Sequence, residues 1–381
     1  MTVPQGYLSV DFLDVGQGDG TLIVFPDDSP VLVDMGSKKN ANVAGKDALA
    51  YVHDKLLDIQ ARRGTMHPTL DILFLTHGDA DHYNLIVPLI ESFGDEEPLT
   101  VEAVYIGGPM ADYAGPIQAW LQRWDQLERL TVFGNCEHDP IDSPAWPFDD
   151  PFHEMQQAFI YLLSVNVPNI GGPKNAKSIC LMVEYAGRKV ILMGDAEETT
   201  EDYIIGWYQA ASPSFLHCDA LKLGHHGSEA ADKNPWLQAT QAWCVFASSD
   251  QKWAHPYCSV IQRVIDNGKL DRDGAHYWLC GQGANASKEY FFWAGNDANR
   301  TYDIYTNLAY MKHLSGSSPE EQQLIEQINN DVDVDGVLPN GIVLGVQYSF
   351  RVHHDGSVEV LVTDLLDGVT EVVATQPAGQ P

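Results

Sequence analysis

Thr76-His77-Gly78-Asp79-Ala80-Asp81-His82 follows directly on the unbroken apolar run Ile72–Leu75, and its reading decides the fold. A short run without polar interruption marks a strand buried on both faces. A tight loop at the end of such a strand lets side chains converge on one point. Here His77, Asp79, Asp81 and His82 supply four ligand-type groups within six residues. Imidazole and carboxylate together suit first-row divalent metals. As an idle polar turn, the same density of groups at the mouth of a core strand would be costly to desolvate.

Two later segments repeat the pattern of a hydrophobic strand followed by ligand-type residues. Val190–Met193 runs into Gly194-Asp195, and Leu221-Lys222-Leu223 runs into Gly224-His225-His226-Gly227-Ser228. Either alone is weak, since Gly-Asp after a strand is commonly a turn. Together, three strand ends deliver His, Asp, Asp, His, Asp and His to one sheet edge. That is the inventory of a two-metal site.

Outward from these loops the chain alternates between strand and helix. Tyr7–Val15, Thr21–Phe25 and Val31–Val33 read as strands, the last two joined across a turn-rich segment. Leu49, Val52, Leu56 and Ile59 form a helical stripe, as do Ile117, Leu121, Trp124 and Leu127. Val101–Ile106, the hairpin Ile179–Tyr185 with Lys189–Met193, Ala220–Leu223 and Trp243–Ala247 complete the strands, and a helix is expected from about Glu197. No internal period is present, and the mixture predicts an α/β sandwich. Residues 134–153 read as an irregular loop. Beyond Gly281 the character changes. Ser318-Pro319-Glu320-Glu321 is a capping box with proline at the first helical position. His354-Asp355-Gly356 is a hairpin turn.

The 381 residues carry 22 basic and 53 acidic side chains, a net charge of −31. Such a surface excludes broad coating of nucleic acid, which needs clustered Lys and Arg, but not a phosphodiester held locally by ions. An apolar content of 44% is ample for a packed core. No apolar run approaches the roughly 20 residues of a membrane helix, and no secretory signal precedes the first strand. The six cysteines form no CxxC pair, which predicts reduced thiols and a cytoplasmic protein.

Six motifs in order resemble the metallo-β-lactamase superfamily, and within it the ComEC-like competence proteins, over roughly residues 7–270. Phe12-Leu-Asp-Val-Gly-Gln-Gly-Asp19 resembles that branch's opening motif, and Val33-Asp34-Met-Gly36 the superfamily's first Asp-containing turn. His77-Gly-Asp-Ala-Asp-His82 is similar to the ComEC variant HxDxDH. Met193-Gly-Asp195, Gly224-His-His-Gly-Ser228 and Ala254-His255-Pro256 resemble the later motifs. The resemblance implies an αββα sandwich over residues 1–280, with residues 281–381 an appended helix and β-hairpin module, an α+β extension. It implies two divalent ions, Zn²⁺ or Mn²⁺ with Mg²⁺ as a further choice, bridged by Asp195. His77 and Asp79 would hold one ion, Asp81 and His82 the other, and of the adjacent pair His226 is the ligand. The usual third histidine, expected just before the Ile179 strand, is missing. Lys174, Asn175 and Lys177 stand there instead, so the first site would be oxygen-rich and favour harder ions.

By the same resemblance the ions activate a water that Asp81 or Asp195 orients, and His255 stabilises or protonates the leaving oxygen. Lys177, Lys222, His225 and Ser228 are the substrate-contact candidates. Asp19 and Asp34 are expected to hydrogen-bond the ligand loops. The expected activity is that of a phosphodiesterase or nuclease acting on DNA, RNA or a small nucleotide, without a membrane. Alternatives are a hydrolase of a lactone, thioester or β-lactam, and a weakly metal-binding interaction protein. The carboxyl-terminal module is a candidate for binding a protein partner. The sequence does not set the oligomeric state.

Overall fold

Residue alternation along the core strands sorts side chains into three layers. Val31, Val33, Ile72 and Phe74 point to one side of their strands, Leu32, Leu73 and Leu75 to the other. Val190 and Leu192 likewise face away from Ile191 and Met193. Strands apolar on both faces must be covered on both. The computed structural model shows how this is met, describing residues 5–38, 43–133, 147–148, 158–167, 174–212, 214–249, 255–267, 276–281, 289–294, 304–306, 346–364 and 369–379.

Two sheets face each other. The first contains β1 (Tyr7–Phe12), β2 (Gly20–Val24), β3 (Pro30–Met35), β4 (Thr69–Leu75), β5 (Thr100–Ile106) and β6 (Leu130–Val132) in that order. The second runs β7 (Pro147–Phe148), β8 (Ala158–Ser164), β9 (Cys180–Tyr185), β10 (Arg188–Leu192), β11 (Ala220–Lys222), β12 (Cys244–Ala247), with Ile304–Thr306 outside β12. Their inner faces share one core, in which the rings of Phe12 and Phe246 stack 4.0 Å apart.

Helices cover the outer faces. α1 (Val43–Arg63), α3 (Ile86–Ser92) and α4 (Pro116–Gln126) lie over the first sheet, with Val52, Leu56, Ile59, Leu89, Ile117 and Leu121 buried. The short α2 (Ala80–Tyr83) carries the ligand loop. α5 (Glu198–Ala211), α6 (Asn234–Thr240) and α7 (Cys258–Asn267) cover the second sheet. The order of layers is helix, sheet, sheet, helix. Among the described residues no helix is long and apolar enough to cross a membrane.

The hairpin expected about His354-Asp355-Gly356 forms, with Val346–His353 paired to Val358–Asp364. The boundary expected near residue 280 puts this hairpin outside the first domain. Val346–His353 nevertheless pairs with β1, and Tyr348, Phe350, Val352, Val358, Val360 and Val362 fill the core between the sheets. Each such side chain contributes roughly 1.5–3 kcal/mol when fully buried. The capping box at Ser318 and most of the 134–153 loop lie outside the described residues. Cys180, Cys218 and Cys244 are buried and outside any disulfide, but Cys258 is disulfide-bonded, which corrects the expectation of reduced thiols throughout. Disulfides need closeness in space, and separation along the chain does not report it.

Candidate metal centre

β3 and β4 run parallel, as do β10, β11 and β12. Their carboxyl ends therefore lie on one edge, where sites on parallel strands are built. Five of the loops leaving that edge make contacts with one another. Asp19 N–H donates to the Asp81 carbonyl at 3.0 Å, and Gly36 N–H to the Asp19 carbonyl at 2.9 Å. His225 N–H donates to the Gly194 carbonyl at 3.0 Å. The approach is close enough that a Cβ at Gly36 would lie 2.4 Å from the Asp81 carbonyl carbon.

Each imidazole is held through Nδ1. His82 Nδ1 is 2.7 Å from Asp34 Oδ2, and His226 Nδ1 is 2.8 Å from the Ser248 carbonyl. His77 Nδ1 is 3.2 Å from Thr76 Oγ1, which itself donates to Asp34 Oδ2 at 2.5 Å. This network assigns the proton to Nδ1 and leaves Nε2 with its lone pair. All three Nε2 atoms aim at Asp195. Those of His82 and His226 lie 3.1 and 3.3 Å from Oδ1, and His226 Nε2 is 3.6 Å from Asp81 Oδ2. His77 Nε2 lies 3.7 Å from both Asp195 Oδ2 and Asp79 Oδ2. Donors bound at 2.0–2.2 Å to one ion stand about 3–3.6 Å apart, so the first group is already at ligand spacing and the second is slightly more open.

The chemistry of these atoms fits a divalent ion on each side of Asp195. His77 Nε2, His82 Nε2, His226 Nε2 and Asp195 Oδ1 are all buried without a hydrogen-bond partner. Each such atom left unsatisfied costs about 1–3 kcal/mol, and coordination removes the cost. His77 with His82 and Asp195, and Asp81 with His82 and His226, each offer ligand atoms within 4.8 Å of one another. A third such set, Asp19, Asp34 and His82, is already engaged: Asp34 orients His82, and Asp19 binds Lys222.

Charge is tightly coupled here. Burial alone would raise Asp195 and Asp81, but the histidines beside them pull both well below the usual carboxylate range. Asp79 is lowered to about 2, first by the His77 imidazole beside it and also by Lys174. Burial works against a charged His82, yet Asp195 and Asp34 raise it well above an ordinary imidazole.

Of the expected substrate contacts, Lys222 is the clear correction. Its side chain is 2% exposed and bound to Asp19. In the alternation of β11, Leu221 faces the helices, so Lys222 points between the sheets, where Asp19 neutralises it. Lys177 is paired with Asp112 at the rim. The Ser228 hydroxyl accepts the Ala230 N–H within its own turn. His225 lies deeper than a rim contact: Nε2 is 3.7 Å from Asp195 Oδ2 and Nδ1 is 2.9 Å from Glu197 Oε1. His255 stands with its ring 5.6 Å from that of His225. Burial first, then His226 and His225, push its pKa down to about 3. A neutral His255 donates a hydrogen bond but is not a standing acid.

Two participants escaped the sequence reading: Lys38 Nζ is 2.6 Å from Asp81 Oδ1, and Gln17 Nε2 is 3.3 Å from His255 Nδ1. Lys174, read only as standing in the missing histidine's place, has its Nζ 3.1 Å from Asp79 Oδ1. Asp79 itself is the N-cap residue of α2 but makes no capping bond, so its carboxylate is available to the centre.

Residues 13–242 match the metallo-beta-lactamase superfamily. The chain is 25% identical over 260 residues to ComE operon protein 3 of Bacillus subtilis, covering 66% of this chain and 30% of that protein. It is 25% identical over 258 residues to Recombination protein 2 of Haemophilus influenzae, covering 67% and 26%. The match to Competence protein ComA of Neisseria gonorrhoeae is 25% over 294 residues, covering 74% and 33%. The aligned stretch is thus about a third or less of these relatives' length. Among solved structures, the metallo-beta-lactamase fold protein YhfI of Bacillus subtilis aligns with TM-score 0.39 and 15% identity, over 69% of this chain and 94% of that one. With two sheets between helices, three histidines and an aspartate convergent at one edge, and more than half its length matched, the chain belongs to the metallo-beta-lactamase superfamily, and its relatives are ComEC-like competence proteins.

Proposed function

We propose that this protein is a metal-dependent phosphodiester hydrolase acting on a small nucleotide or a single-stranded end. The observation that carries it is the pair of lysines set against the ligand carboxylates of an otherwise acidic molecule. Lys38 and Lys174 sit against the ligand carboxylates Asp81 and Asp79 while each side chain stays more than a third exposed. Two divalent ions would supply Lewis acidity and lower the pKa of an attacking water. Three carboxylates, Asp79, Asp81 and Asp195, do not cancel the charge of two such ions. The centre therefore keeps a positive balance in a chain of net charge −31. An anionic phosphoryl group is drawn there, and a long polyanion is repelled elsewhere.

The chain's own groups have distinct tasks. His77 and Asp79 would hold one ion, Asp81, His82 and His226 the other, and Asp195 would join them. Lys38 offers a hydrogen-bond donor to phosphoryl oxygens, while Lys174, bound to the Gly78 and Asp112 carbonyls and to Asp79, contributes its charge. His255, aligned through Gln17, offers an N–H to the leaving oxygen. The test is turnover of a chromogenic phosphodiester, a lactone and nitrocefin by chelator-stripped protein given Zn²⁺, Mn²⁺ or Mg²⁺. Phosphodiester turnover that disappears in Asp195→Ala supports the proposal. Turnover of the lactone or nitrocefin alone, or of nothing by fully loaded protein, overturns it.

A further inference from the structure

The sequence lacks the histidine that superfamily members supply before β9, which leaves His77 and Asp79 with an incomplete set. At that position stands Asn175, whose Nδ2 donates to Glu197 Oε1 at 3.0 Å. Glu197 in turn is 2.9 Å from His225 Nδ1. It is the N-cap residue of α5, but its side chain makes no capping bond and faces the histidine instead. The chain of contacts ends on the ring that fills the gap.

His225 repeats the features of the other three histidines. Its Nδ1 is fixed by an acceptor, and its Nε2 lies 3.7 Å from Asp195 Oδ2, the same separation as His77 Nε2 from that oxygen. Its backbone adds a second observation. His225 (φ 44°, ψ 49°) and His226 (φ 56°, ψ 21°) are consecutive left-handed residues, a conformation that costs non-glycine residues about 1–2 kcal/mol each. Strain of this kind persists where the surroundings demand it, and it clusters at functional sites. A residue at 225 in the ordinary right-handed region would not present both rings to opposite oxygens of one carboxylate.

We propose that His225 is the third protein donor, through Nε2, to the ion held by His77 and Asp79, with Glu197 as its positioning residue. The adjacent pair His225-His226 then serves both ions, one ring each. This site contains two imidazoles rather than the oxygen-rich set that the sequence implied, which moves its preference back toward Zn²⁺ and Mn²⁺ and away from Mg²⁺. The inference rests on the two-ion reading of the centre and not on the identity of the substrate.

Ion content tests it. Wild-type protein, His225→Gly, His226→Gly and Glu197→Gln are loaded with Mn²⁺, desalted, and examined by elemental analysis and electron paramagnetic resonance. Glycine suits the left-handed backbone, so both glycine variants relieve strain rather than add it. Wild type should hold two ions with a spin-coupled signal. His225→Gly should hold one, with the signal of an isolated ion, and His226→Gly should lose the other. Glu197→Gln should weaken the His225 site by about 10–100-fold without abolishing it. Two ions at unchanged affinity in His225→Gly would overturn the assignment and leave the two-ion centre standing. Fewer than two in wild type would overturn both.

Discussion

The Lys222 ammonium and the Asp19 carboxylate form an ion pair between the two sheets, 2.5 Å apart, with both side chains no more than 4% exposed. It ties β11 to the loop between β1 and β2, directly behind the ligand residues. Removing one member of a buried pair strands the other, which costs about 3–5 kcal/mol. Lys222→Met should therefore lower the urea-unfolding free energy of metal-free protein by about that amount. Lys222→Met with Asp19→Asn should recover most of the loss, because the amide oxygen keeps the bond to Gly20 N–H at 2.9 Å. An equal loss in single and double variants would contradict the pairing.

Asp34 orients His82 without touching an ion. Asp34→Asn keeps the shape and tolerates the left-handed φ of 57° at this position. It removes the charged acceptor that fixes the imidazole. Ion affinity, measured by chelator competition, should fall by about 10–100-fold while the fold persists. Unchanged affinity would mean that Asp34 only shapes its turn.

Asp232 and Glu201 form a buried carboxyl pair beside the Gly224 loop. Asp232 N–H donates to Glu201 Oε1, and Gly224 N–H to Asp232 Oδ1 at 3.2 Å. Burial raises both groups above the usual carboxylate range, and the charge of Asp232 raises Glu201 further. The folded state thus keeps protons that the unfolded chain has released. Stability from this pair is full below about pH 4 and declines as pH rises through neutrality. Asp232→Asn should flatten that decline in metal-free protein by on the order of 1–2 kcal/mol. A decline of equal slope in the variant would remove Asp232 from the linkage.

Gly36 has no room for a side chain, since an added Cβ would lie 2.5 Å from the Asp81 carbonyl oxygen and 2.6 Å from the His82 nitrogen. These are backbone atoms, so relief requires moving the ligand loop. Gly36→Ala should reduce ion binding more than it reduces thermal stability. Retention of two tightly held ions would show that the loops have more slack than this packing implies.

Much of this was legible because the relevant signals are local. The run Ile72–Leu75 and its His and Asp residues lie together in the chain, and apolar alternation in β3, β4, β9 and β10 fixed their faces. What stayed hidden depends on contacts between distant residues. Lys222 reads as a phosphate contact until the sheet opposite brings Asp19 to it. Glu197 reads as an ordinary helix start, and its turn toward His225 follows from the left-handed backbone at 225, for which a histidine gives no sequence signal. The strands Val346–His353 and Val358–Asp364 were readable as a hairpin, but the pairing of Val346–His353 with β1 spans most of the chain, and no local pattern encodes it.

Anomalous X-ray diffraction from crystals of the Zn²⁺- or Mn²⁺-loaded protein tests the central claim most directly. Two peaks roughly 3.5–4 Å apart, one on each oxygen of Asp195, are the expected result. No peak at Asp195, or metal bound only at surface carboxylates elsewhere, would contradict it.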